Sequence, residues 1–499
     1  MRKRKNPRIL IVTPEITYLP EGMGNLAGKM SAKAGGMADV SASLVQSLHT
    51  LGADVHVALP HYRRMFHIET AQLVASELRK YKAHLPDERI HLAEDRCFYY
   101  RDAVYSQGDG NIKLALAFQR EVINNIIPRV QPDLIHCNDW MTGLIPAAAR
   151  REGIPCLFTV HNIHTQKLTL SQIEDAGIDS AEFWMHLYYS YPPYNYFESR
   201  ESNYVDLQAS GIFGAHFINT VSPTFLTEIV NGWHSFIPDS IRNEIRGKYY
   251  ANCASGILNA PDTADNPATD DKIPFKYGPE NHFAAKRENK IALQHALGLE
   301  ENPDKALFFW PSRLDPVQKG PQLLTDIAYR FLEKHPDAQI AVIANGSFQR
   351  HFCEIRDFHS IHSRLAVRDF DSRLSQLGFA ASDFTLMPSL FEPCGLPQMQ
   401  APIYGSLAVV HDTGGLHDTV EMLDTAASKG NGFIFETYDS NGLFWAMDRA
   451  MDFFHSPAPV REREISRIMA ESLRRFNHDE CAKQYIALYE RMLDRPLVR

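Results

Sequence analysis

Cysteine is scarce in this 499-residue chain: seven residues, odd in number, with no C-x-x-C pair. That excludes a disulfide framework and a structural zinc site, and points to a reduced, cytosolic setting. Long apolar runs are missing too, and no segment approaches the ~20 residues that a membrane-spanning helix needs. Arg2-Lys3-Arg4-Lys5 ahead of Ile9–Val12 mimics an export signal, but the apolar run is short and meets Pro14 and Glu15, so a first strand is expected there. Positive charge is not in excess either. The formal net charge of −9 argues against a nucleic-acid or anionic-membrane partner. What is present is ordinary for a globular protein, 44% apolar and 22% charged residues. A chain of this length exceeds one hydrophobic core, so two or three domains are expected.

The stretch Asp383–Gly415 organises the rest. Phe384–Met387 is a short apolar strand running into Ser389-Leu390-Phe391-Glu392-Pro393-Cys394-Gly395, with Pro397 suited to the first turn of a following helix. Leu407–Val410 is the next buried strand, broken at Asp412-Thr413-Gly414-Gly415 before a helix expected from Leu416. In a parallel sheet both turns lie at the carboxyl edge, where open α/β sheets bind ligands. Free backbone N–H groups and positive helix ends there attract phosphates. Glu392 is the one carboxylate in the first turn. Beside an anion site it suits neutral hydroxyls better than a second anion. A sugar nucleotide meets both demands, with its diphosphate on the helix ends and its sugar hydroxyls on Glu392. Taken alone, the residues read equally as an exposed loop acid between two core strands.

The N-terminal half repeats the logic. Arg8–Thr13 is a buried strand, Lys33-Ala34-Gly35-Gly36 opens a helix with Met37, Val40, Leu44 and Leu48 on one face, and Val55, Val57 and Leu59 alternate as the next strand. This β-loop-α-β unit begins a Rossmann-like domain. Gly35 and Gly36 let the backbone approach a phosphate and Lys33 adds a compact charge; alone, the pattern is also a surface lysine at a helix start. Between strand and lysine lies an extra segment, Thr17–Ala32. Its Gly22, Gly24 and Gly28 come too late after the strand for a dinucleotide fingerprint, so no nicotinamide cofactor is expected. A mobile flap covering the cleft with Tyr18, Leu19, Met23, Leu26 and Met30 is the expectation, with a plain surface loop as the alternative. Further on, the strand Asp133–Asn138 ends in Asp139 and Trp140, and Cys156–Val160 ends in His161 and Asn162. The aromatic-rich Trp184–Tyr196 reads either as a sugar-stacking surface or as a packed loop.

FEPCGLPQ followed by TGGLHDTV resembles the signature of bacterial glycogen synthases and plant starch synthases, the retaining glucosyltransferases of glycosyltransferase family 5. Further segments agree in order: KAGGMADV, DLIHCNDWMTG, TVHN, NTVSPT, and SRL continuing to QKG. The resemblance implies an α/β GT-B fold, two Rossmann-like domains with parallel sheets facing across a cleft and a C-terminal helix crossing back to the first. It places an acceptor-side domain at 1–255, a nucleotide-sugar domain at 256–475 and the returning helix at 476–499. Glucose would pass from ADP-glucose, with UDP-glucose left open, to the non-reducing end of an α-1,4-glucan with retention.

The resemblance gives Arg313 and Lys319 the leaving diphosphate, Glu392 the glucose hydroxyls, His161 the anomeric carbon or 6-hydroxyl, and Asp139 the acceptor side. Nucleotide-sugar contacts are implied for Lys33, Gly35, Gly36, Phe370, Cys394, Gly395, Leu396, Thr413, Gly414 and Gly415. No cofactor, metal, nucleic acid or membrane is implied, and Asp369 and Asp371 flank Phe370 without a metal role. The chain departs from the family pattern in places. Arg313 and Lys319 stand six apart rather than five, GILNAPDTADNPATD lacks a glycine and the Trp of the hinge, and Thr165-Gln166-Lys167 replaces Tyr-Gln-Gly. A catalytically silent glucan-binding paralogue and a transferase using a small acceptor are the alternatives.

Overall fold

A computed structural model describes residues 5–24, 26–67, 89–105 and 110–498. Arg2, Lys3 and Arg4 of the basic N-terminal cluster, and Asn25 within the extra segment, lie outside the described residues. The chain divides into two compact units, Met1–Leu258 with His478–Arg499, and Asn259–Asn477.

The first unit is built on seven strands: β1 Arg8–Val12, β2 Asp54–Pro60, β3 Ile90–Ala93, β4 Leu134–Asn138, β5 Cys156–Val160, β8 Phe217–Thr220 and β9 Ala254–Gly256. They hydrogen-bond in the order β3-β2-β1-β4-β5-β8-β9, parallel at every step, with Ile9 opposite both Val55 and Leu134. Continuous apolar runs such as Ile9-Leu10-Ile11-Val12 and Cys156–Val160 are fully buried, as a sheet covered on both faces requires. A separate antiparallel pair joins β6 Lys167–Leu168 to β7 Val205–Asp206, fixing the chain after His161. The C-terminal helix His478–Leu493 packs on the helix Gly36–Thr50. Its Tyr489 hydroxyl lies 2.7 Å from His136 Nδ1, and its Tyr485 hydroxyl accepts from Asn219 Nδ2 at 3.0 Å.

The extra segment Thr17–Ala32 is not a flap. Its ends are closed by paired backbone hydrogen bonds between Ile16 and Ala32, at 2.9 and 2.7 Å. Leu19, Met23 and Met30 are buried in the first unit's core, with Tyr18 and Leu26 packed against it. Packing in and against that core holds these side chains. In Trp184–Tyr196, Trp184 meets Tyr196 edge-on and Tyr189 is buried, while Tyr191 and Tyr194 are exposed.

The second unit carries β10 Ala306–Trp310, β11 Ala338–Ile343, β12 Leu365–Arg368, β13 Phe384–Met387, β14 Leu407–His411 and β15 Gly432–Phe435. The order is β12-β11-β10-β13-β14-β15, again parallel throughout. All six strands point one way, so the turns that follow them crowd onto a single carboxyl edge. The helix after β14 spans Gly414–Thr419, starting two residues before the expected Leu416. Among the described residues no helix is long and apolar enough to cross a membrane.

Candidate active site

In the second unit Glu392 sits in the turn after β13 and is buried. Its Oε2 accepts from Lys319 Nζ at 2.5 Å and from Ser389 Oγ at 3.0 Å. The backbone carbonyl of Glu392 accepts from Gly415 N at 2.9 Å, tying the two sequence-adjacent turns together. That approach demands glycine, because a Cβ on Gly415 would stand 2.0 Å from the Cys394 carbonyl oxygen. Gln398, buried on the short helix Pro397–Ile403, donates to the Cys394 carbonyl at 2.9 Å and to Thr419 Oγ1 at 3.2 Å. It fixes the turn that carries Cys394, Gly395 and Leu396. Gln398 closes the FEPCGLPQ motif, but the sequence assigned it no role, because its partner Thr419 stands 21 positions away. Thr413 is buried and precedes Gly414 and Gly415 at the start of the next helix.

Arg313 follows β10 and is exposed, lining a cavity of about 580 Å³ with Leu314, Pro316, Asn345, Ser347 and Phe370. Phe370 is 53% exposed there, and its backbone N–H donates to Asn345 Oδ1 at 2.9 Å. An exposed aromatic ring beside a guanidinium offers a planar base a stacking face and a phosphate a fork. Asn345 was not singled out from the sequence, since it stands 25 residues from the ring that it positions. The flanking acids have other duties. Asp371 caps the helix Ser372–Ala381 by accepting from Leu374 N, and Asp369 accepts from Gln349 Nε2 at 2.8 Å.

The first unit gathers Lys33, Gly35, Gly36, Asp139 and His161 at the carboxyl ends of β1, β4 and β5. Lys33 Nζ pairs with the buried carboxylate of Asp39 at 2.7 Å and is half exposed. The expected phosphate-facing backbone is partly taken, because Ala34 N and Gly35 N donate to Glu15 Oε2 at 2.6 and 2.9 Å. The Gly35 N–H is thus satisfied within the chain.

Asp139 has φ 55° and ψ 179°, a backbone region that non-glycine residues seldom occupy. Its surroundings over-determine it. Its N–H donates to the Thr159 carbonyl and its own carbonyl accepts from Thr142 N and Oγ1. Its Oδ1 accepts from His161 N at 2.8 Å and its Oδ2 from Asn162 Nδ2 at 3.2 Å. Burial raises the Asp139 carboxyl to about 7, against the lowering effect of the His161 and Asn162 N–H groups, with Glu15 adding repulsion. His161 Nε2 lies 2.9 Å from Asn138 Oδ1, and burial holds the imidazole down to about 4, hence neutral at pH 7.

Two parallel-sheet units, each presenting glycine turns and cations at its carboxyl edge, define a glycosyltransferase of the GT-B fold. The chain matches the starch synthase catalytic domain family over residues 8–238 and the glycosyl transferases group 1 family over 296–457. It is 33% identical to the glycogen synthase of Cellvibrio japonicus over 487 residues, covering 92% of this chain and 96% of that one. It is 31% identical to the glycogen synthase of Moorella thermoacetica, covering 98% and 97%. Among solved structures, the catalytic domain of starch synthase IV from Arabidopsis thaliana bound to ADP and acarbose superposes with a TM-score of 0.77 at 24% identity, over 98% of this chain and 100% of that one. The chain belongs to the glycogen synthase family.

Proposed function

We propose that the protein transfers glucose from ADP-glucose to the non-reducing end of an α-1,4-glucan, with retention. The observation that carries this reading is the second unit's carboxyl edge. There a buried Glu392 is paired with Lys319 under two tied glycine turns, and an exposed Arg313 and Phe370 line one cavity. The starch synthase IV neighbour, bound to ADP and acarbose, supports an adenine nucleotide as the donor's carrier.

Phe370 would stack on the base and Arg313 would grip the diphosphate. An arriving diphosphate competes with Glu392 for the Lys319 ammonium. As Lys319 moves to the phosphates, Glu392 turns its oxygens to the glucose 3- and 4-hydroxyls, with the backbone of Cys394–Leu396 and the Thr413–Gly415 turn beside it. Negative charge grows on the leaving phosphate as the glycosidic bond breaks, and fixed cations stabilise it there. The leaving phosphate oxygen takes the acceptor hydroxyl's proton on the same face, which gives retention. In the first unit, Lys33 and Gly36 would serve the donor, neutral His161 would hydrogen-bond a sugar hydroxyl, and Asp139 would serve the acceptor. The mechanism uses no metal and no cofactor, and its setting is the cytoplasm.

The test is incubation with labelled ADP-glucose and, separately, labelled UDP-glucose, with glycogen as acceptor. Label should enter glycogen from ADP-glucose at least about tenfold faster, the difference one good donor contact makes. Incorporation from neither donor overturns the reading, and a preference for UDP-glucose corrects the donor.

A further inference from the structure

Glu15 has no role in the reaction described above, yet it is among the most enclosed charged residues of the first unit, 2% exposed. It stands three residues past the end of β1, and the chain then leaves on the extra segment and returns at Ala32, closed there by the Ile16–Ala32 bridge and by the Thr17 N–H donating to the Ala38 carbonyl at 3.3 Å. Nineteen positions separate Glu15 from Ala34, yet one carboxylate oxygen collects the N–H groups of both Ala34 and Gly35. The other oxygen accepts from the Tyr105 hydroxyl at 3.3 Å. Its own carbonyl accepts from Thr13 Oγ1 at 2.9 Å, so the residue is anchored at both ends. A turn reached through a long insertion carries more positional freedom than one reached in a few residues. Two hydrogen bonds onto one buried, anchored oxygen remove that freedom.

We infer that Glu15 is a positioning residue for the donor-binding turn: its carboxylate sets where Lys33, Gly35 and Gly36 stand, in spite of the inserted segment. The assignment of this turn to the donor rests on the function proposed above; the positioning itself does not. What matters is the reach of one acceptor oxygen, not the charge. Glutamine presents an oxygen at the same distance. Aspartate keeps the charge but falls one methylene short of both N–H groups.

The experiment compares wild type with Glu15→Gln, Glu15→Asp and Glu15→Ala, using two readouts on the full chain. The first is amide hydrogen exchange of a peptide spanning the Lys33–Gly36 turn. The second is KM for ADP-glucose and, separately, for glycogen. Glu15→Gln should keep slow exchange and a donor KM within about twofold. Glu15→Asp should exchange faster and raise donor KM about tenfold, the loss expected when a buried N–H is left unsatisfied, with glycogen KM unchanged. Glu15→Ala should follow Glu15→Asp. If Glu15→Ala does not fold, the Gln–Asp comparison decides alone. Unchanged exchange in Glu15→Asp, or a donor KM that ranks the variants by charge with Asp near wild type and Gln impaired, overturns the inference. A wild type that transfers glucose from no donor counts against the proposed function only, because the exchange arm still decides the turn.

Discussion

Lys319 and Glu392, 73 positions apart, meet at 2.5 Å beneath the two glycine turns, both largely buried. The pair joins the cation of one strand-end loop to the acid of another, so each is pre-placed at the carboxyl edge and neither is left as an uncompensated charge. Such a pair adds little net stability, but breaking it from one side is costly.

Lys319→Ala should therefore lower unfolding stability by about 3 kcal/mol, because Glu392 is left buried and unpaired. Glu392→Gln should lower turnover by about 10²-fold while leaving nucleotide binding intact. The double variant should recover most of the stability and none of the activity. Denaturant titration beside the transfer assay separates the two effects; a Glu392→Gln enzyme with near-normal turnover removes this residue from the site.

If cations in place of metal stabilise the leaving diphosphate, EDTA should change the rate by less than about twofold, a sub-kcal/mol effect. Arg313→Ala should lower it by about 10–100-fold, and Arg313→Lys should restore little, since a point charge lacks the guanidinium fork. Activity lost in EDTA and regained with manganese would make Asp369 and Asp371 ligands.

Much of the second unit's edge was legible because its cues are local. Phe384–Met387 and Leu407–His411 are apolar runs that stop at turn residues, and their parallel pairing follows from the helix Pro397–Ile403 between them. Cues that act across the chain were not legible. Nothing near Glu15 announces that its oxygen meets Ala34 and Gly35, and nothing near Asn345 announces Phe370. The extra segment misled for a related reason. Three glycines suggest hinges, and Leu19, Met23 and Met30 stand four and seven apart as on one helix face, yet the helix formed in this segment covers Ala27–Lys29, so how they are buried shows only in three dimensions.

That burial makes its own prediction. Met23 is fully buried, and its carbonyl accepts from Arg89 N at 2.9 Å. Met23→Ala should lower unfolding stability by about 2–4 kcal/mol, as for other buried Met-to-Ala changes. The ratio of transfer to donor hydrolysis should stay unchanged. A stability within 0.5 kcal/mol of wild type by denaturant titration, roughly the surface-substitution range, together with raised hydrolysis, would restore the flap.

Asp139 should give the protein a pH signature of known sign. Its carboxyl is raised from the ordinary 3.8 to about 7 by burial, so between those values the folded chain holds a proton that the unfolded chain has lost. The unfolded state binds fewer protons there, and this residue's contribution to stability falls as pH rises from about 4 to about 7. His161 acts oppositely, since its pKa is lowered from 6.5 to about 4 by burial and its contribution rises with pH across that window. The two partly cancel in the wild type, so the total curve does not isolate either. Asp139→Asn does, because it keeps an oxygen for the His161 N–H and removes the titration. The variant should match wild type near pH 4 and exceed it at pH 8 by roughly 2–4 kcal/mol, the linkage value of a shift this size. Its turnover should fall at every pH if the carboxylate serves the acceptor. Denaturation curves at pH 4, 6 and 8 check this; a constant offset between the two proteins would mean that Asp139 titrates like an exposed acid.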